Sequence, residues 1–133
     1  SLINEEKNLP SESKGMDITA IQNGDFSSVA GTWRNRSGIE FTFDKNGLVS
    51  DKSKISIEHA KEIDHYLKAN SVSKDGGAGA AIAFLPAGIP ITMSVTSSTD
   101  NGYTDSSDIT QDRLWFGHQL INGSTEGFFY KVE

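Results

Sequence analysis

Ile39-Glu40-Phe41-Thr42-Phe43-Asp44-Lys45-Asn46-Gly47 decides the fold class. Ile39, Phe41 and Phe43 alternate with Glu40, Thr42 and Asp44, the period of two that gives a strand one dry and one wet face. Asp44-Lys45-Asn46-Gly47 ends that strand in a hairpin turn, and Ser37-Gly38 begins it with another. Downstream, Ile82 and Phe84 lead into Pro86, while Ile91, Met93 and Val95 alternate with Thr92, Ser94 and Thr96. Leu114 with Phe116, then Phe128, Tyr130 and Val132, predict two last strands. Lys54 to Ser73 reads two ways. Ile57, Ala60, Ile63 and Leu67 are spaced like a helix face, yet Ile55 and Ile57 followed by Tyr66 to Val72 make a long strand and its partner, and we read two strands. Upstream, Met16, Ile18 and Ile21 predict a two-turn helix, with Asp17 capping its free N–H groups and Asn23-Gly24 stopping it. Short strands with frequent turn signals predict an all-β fold, a small antiparallel barrel or strongly curved sheet with a short N-terminal helix. Residues 16–133 form one β-barrel-like domain in this reading. Residues 1–15 carry few apolar side chains and are expected to be a flexible tether.

Composition narrows the function. The chain has 133 residues, 12 basic against 18 acidic side chains, a net charge of −6 and no cysteine. The acidic excess argues against nucleic acid and anionic membranes, both of which require a basic surface. Lacking cysteine, the chain has no disulfide framework, thiolate nucleophile or cysteine-based metal site. No stretch reaches the roughly 18 consecutive apolar residues of a membrane-spanning helix. Ser1 is not an initiator methionine, so an upstream segment is expected to have been removed.

The catalytic constellations searched for do not emerge. Of the three histidines, His59, His65 and His118, the first two lie six apart and share a face if on one strand, where a zinc or pH-sensing pair is conceivable, but two histidines in a charged segment are read as solvated. No Gly-x-Ser-x-Gly elbow is present. Gly76-Gly77-Ala78-Gly79 lacks the Lys-Ser/Thr of a phosphate-binding loop. Asp100, Asn101, Asp105, Ser106 and Asp108 are rich in oxygen, but their spacing is not that of a calcium loop, and a solvated loop is the simpler reading. No cofactor, metal site or catalytic residue is predicted. Phe41, Phe43, Ile82, Phe84, Leu114 and Phe116 are candidate inward residues, which predicts a largely filled interior. Tyr103, Trp115 and Phe129 fall on the opposite faces or in loops. They either lie beneath a loop or mark a binding surface, and on the second reading they lead as contact residues.

The run from Met16 to Trp33, followed by Phe41-Thr42-Phe43 and Asn46-Gly47, resembles the uncharacterised domain family DUF6287 of Gram-positive surface lipoproteins. Asp112-Arg113-Leu114, Gly117 and Phe129-Tyr130-Lys131-Val132 are similar to the family's C-terminal strands. The resemblance implies an extracellular domain held at the cell surface by a lipid anchor upstream, with residues 1–15 as its tether. Gly31-Thr32-Trp33 after a helical turn is also similar to the entry of lipocalin-type and streptavidin-type barrels. That second resemblance implies that Trp33 closes one barrel end beneath a basic side chain, Arg113 or Lys131. Together these readings predict a non-enzymatic domain that binds a small or extended ligand. The alternative is a surface adhesion module contacting a protein or cell-wall polymer through exposed aromatics and loops.

Overall fold

A computed structural model describes residues 15–97 and 102–132. The expected tether, Gly15 apart, lies outside the described residues, as do Asp100 and Asn101. Asp17 caps helix α1 (Ile18–Gln22) by accepting the Ala20 N–H at 3.0 Å, and Gly24, at φ +93°, ends it in the left-handed conformation that glycine adopts at least cost. A 3-10 turn, Ser27–Val29, then leads into the sheet. The strands are β1 (Gly31–Arg34), β2 (Glu40–Asp44), β3 (Gly47–Leu48), β4 (Ser53–Ile63), β5 (Tyr66–Ser73), β6 (Ala80–Leu85), β7 (Arg113–Gly117) and β8 (Phe128–Lys131). Lys54 to Ser73 is thus the pair of strands, joined by a tight turn in which Asp64 and His65 both take positive φ.

All eight strands join one antiparallel sheet in the order β3-β2-β1-β8-β7-β6-β5-β4. Its two edge strands, β3 and β4, approach each other, so the sheet curls into a nearly closed barrel. The aromatic side chains fill its inside. Phe26, Phe43 and Phe84 pack with ring centroids 6.1–6.2 Å apart, and Phe41, Phe116 and Phe129 form a second trio at 4.5–5.5 Å. Ile82 and Leu114 complete this core, so all six expected inward residues belong to it. Helix α1 adds Ile21, fully buried, with Met16 and Ile18 packed beside it. Trp33 is 2% exposed, and its indole N–H donates to the Val29 carbonyl at 2.9 Å.

One expected strand is absent. Ile91, Met93 and Val95 do not enter the sheet: Met93–Thr96 is a 3-10 turn, and Ile91 and Val95 are buried against the outside of the barrel. The alternation was misleading because the outer face of β6–β8 is itself apolar. Ala83, Leu85, Trp115 and Phe128 form a second core there. The described residues between Pro86 and Asp112 fold down to cover it, so Ile89, Ile91, Val95 and Tyr103 answer to that surface and not to a ladder.

Because Trp33 joins helix α1, the 3-10 turn and the interior rings, Trp33→Ala is expected to cost about 3–5 kcal/mol, as large-to-small core substitutions do. Chemical denaturation followed by far-UV circular dichroism measures it, and a loss below about 1 kcal/mol contradicts the packing described.

Candidate functional site

Alternation along β7 explains where the sequence-predicted residues lie. Leu114 and Phe116 point inward, so Arg113 and Trp115 point outward into the second core. Of the two readings open for Trp115, beneath a loop or on a binding surface, the structure has it covered: it is 3% exposed, and its indole lies across Gly117 and Gly127, where an added Cβ would come within 2.7 Å of the ring. Phe129, for which the same two readings were open, is 4% exposed and belongs to the interior, since it alternates with the outward Phe128 and Tyr130. Tyr103 is partly buried against the second core. The large hydrophobics exposed among the described residues are the aliphatics Ile39, Val49, Ile109 and Ile121, so the aromatic contact surface does not form.

The barrel-closing assignment changes as well. Arg113 sits on the opposite face of the sheet from Trp33, because it shares the face of Trp115. Lys131 pairs with Trp33 in register and remains exposed, its stem lying against Gly31. Arg113 is instead fully buried under the covering segment. Its Nη2 donates to the Ile89 carbonyl at 2.6 Å and meets Asp105 Oδ2 at 3.4 Å. Its Nη1 donates to the carbonyls of Gln111, Pro86 and Leu85, and its Nε to Ser107 Oγ at 3.0 Å. Asp105 also accepts the backbone N–H groups of Ile91 and Ser107, both at 2.8 Å. The oxygens of this loop therefore serve a guanidinium, and among the described residues no group of three or more acidic or histidine side chains is placed to hold a metal ion.

The open part of the outer face lies beside this cover. Ser56, Asn70, Ala81 and Gly117 stand in one cross-strand row over β4, β5, β6 and β7. Gly117 lies beneath the Trp115 indole, and beside it Ser56, Asn70 and the small Ala81 leave a shallow groove of about 530 Å³, lined also by Glu58, His59 and His118. Register shifts between Ser56 and Lys61, and this bulge in β4 carries Glu58 and His59. Two of the three histidines, His59 and His118, thus line one groove, a proximity that their sequence spacing does not reveal. The next row toward the second core is Lys61, Lys68, Ala83 and Trp115. Hydroxyl, amide, imidazole and carboxylate groups in such a groove suit hydrogen bonding to a polar ligand.

Tyr103 offers a readout of the cover. Its hydroxyl is buried and has no hydrogen-bond partner among the described residues, and burial, helped by the Asp105 charge, pushes its pKa up to about 12. The folded state thus keeps this phenol protonated where the unfolded chain, near the usual 10, has begun to lose its proton. Stability from this source is complete below about pH 10 and is lost as pH rises toward 12. Ultraviolet titration of the wild-type protein against Tyr103→Phe should assign a phenol titrating near 12 to Tyr103; ionisation near 10 contradicts its burial.

The chain matches no curated protein and no solved structure. A family described as "Domain of unknown function (DUF6287)" matches residues 2–133. The match spans nearly the whole chain, and the protein therefore belongs to the DUF6287 family.

Proposed function

We propose that this is a non-enzymatic recognition domain, displayed outside the cell on a lipid anchor, that holds an extended polar ligand on the outer face of β4–β7. The observation that carries the reading is the division of the sheet's two faces. The inner face is occupied by two packed aromatic trios and helix α1, whereas Ser56 and Asn70, beside the small Ala81, line an open groove on the outer face. A lipocalin-like mode, with a small ligand in the barrel, competes with those rings for the same space. An aromatic adhesion surface lacks its aromatics, since Trp115 and Phe129 are buried. A cell-wall polymer on the groove is the version of surface recognition that these positions favour. Extracellular display is in keeping with the lipoprotein resemblance of the sequence.

The test fills the groove. Ala81 sits on its floor, so Ala81→Tyr places a phenol ring across the row without touching the interior. Binding to insoluble cell-wall material is expected to fall at least about tenfold, equivalent to about 1.4 kcal/mol. Thr42→Tyr, on the exposed face of β2, should leave it unchanged. Equal retention of both folded variants contradicts the groove as the binding surface.

A further inference from the structure

We propose that Lys61 and Lys68 form an anion subsite at the end of this groove, and that the ligand is a hydroxyl-rich polymer carrying negative groups; the inference rests on the groove reading above. The two lysines are direct cross-strand partners on the outer face. Residues so paired have Cβ atoms about 4.5–5.5 Å apart, and like charges there destabilise a sheet. Neither lysine's ammonium group has a hydrogen bond or ion pair among the described residues. That arrangement occurs in a chain with 18 acidic side chains, where a carboxylate opposite either lysine would relieve it. The repulsion is a local cost to the fold, and an anion seated between the two ammonium groups offsets it.

The surroundings indicate what bears the anion. Lys54, exposed and opposite Val72, stands beyond the Ser56–Asn70 pair at the groove's other end. Val72 and Lys68 are four residues apart on β5, about 13 Å at the rise of a strand. Cations therefore bracket a polar row, which suits a chain with repeated charges better than a single small anion. Between them, Ser56, Asn70, His59 and His118 both donate and accept hydrogen bonds, as hydroxyl groups require. Glu58 is the one carboxylate lining the groove, and it suits a ligand hydroxyl as an acceptor. An acidic peptide fits less well, because the backbone groups of β5 and β6 beneath the groove are already engaged in ladders on both sides. The charged repeat is a carboxylate on a polysaccharide or a phosphate in a polyol chain, chemistries that the lysines receive alike.

Calorimetric titration with three oligomers, a galacturonate hexamer, a glycerol phosphate hexamer and a neutral glucose hexamer, tests the proposal. At least one anionic oligomer should bind about tenfold tighter than the neutral one and weaken as salt rises, and which of the two binds identifies the source of the charge. Lys61→Glu should abolish that preference while leaving the melting temperature equal or higher, because it turns a like-charge pair into an opposite one. A purely structural lysine would not lower affinity while preserving stability. Lys68→Met should lower affinity about fivefold, and Lys45→Met, in the β2–β3 turn, should not. Equal binding of neutral and anionic oligomers, unaffected at Lys61 and Lys68, overturns the anion subsite while leaving the groove reading intact. Binding of none of the three overturns the polymer assignment, as does tighter binding of a hexaglutamate peptide titrated as a fourth ligand; the Ala81→Tyr result then judges the groove independently.

Discussion

Arg113 is the constraint from which the outer architecture follows. A guanidinium removed from water is tolerated only when its donors are satisfied, and here all three nitrogens find oxygens of the covering segment. Those oxygens belong to Leu85, Pro86, Ile89, Asp105, Ser107 and Gln111, so satisfying one side chain holds two described stretches of the connection against the sheet. Asp112 ties the same segment to the barrel's entry, accepting the N–H of Met16 at 3.1 Å and of Ala87 at 2.8 Å. With the segment in place, Trp115, Leu85 and Phe128 have a dry environment on a face that would otherwise meet solvent. What the segment leaves uncovered is the polar row over β4–β7.

The barrel thus has two cores, one inside and one outside, with β6, β7 and β8 contributing to both. A strand buried on both faces reads as continuously apolar, and Ala80–Leu85 does so. This arrangement leaves recognition to the part of the sheet with a wet face, where β4 and β5 carry lysines, serines and an asparagine. The bulge in β4 matters there: the register shift turns Glu58 and His59 toward the groove beside residues of β5.

Much of the fold was legible because its signals are local. The alternation Ile39 to Asp44, the cap at Asp17 and the stop at Gly24 each specify a conformation within a few residues. The inward set from Phe41 to Phe116 followed from the same period. Alternation says which residues share a face, but not whether that face is wet. Trp115 and Phe129 were therefore open to misreading, one covered by a distant segment and the other inside the barrel. Arg113 entered the sequence reading only beside Lys131 as a candidate to cover Trp33, and its actual partners Ile89, Asp105 and Ser107 come from a segment without sheet periodicity. The groove left still less trace, since the Ser56–Asn70–Ala81–Gly117 row exists only once four strands are in register.

The most direct test of this account is collisional quenching of Trp115 by acrylamide in a Trp33→Phe background, with Arg113 retained or replaced by Met. The account predicts a shielded indole when Arg113 is present and an accessible one in Arg113→Met, with the far-UV circular dichroism of the sheet preserved. An indole quenched like free tryptophan while Arg113 is present, or one that stays shielded after its replacement, would contradict the claim that this guanidinium holds the cover over the second core.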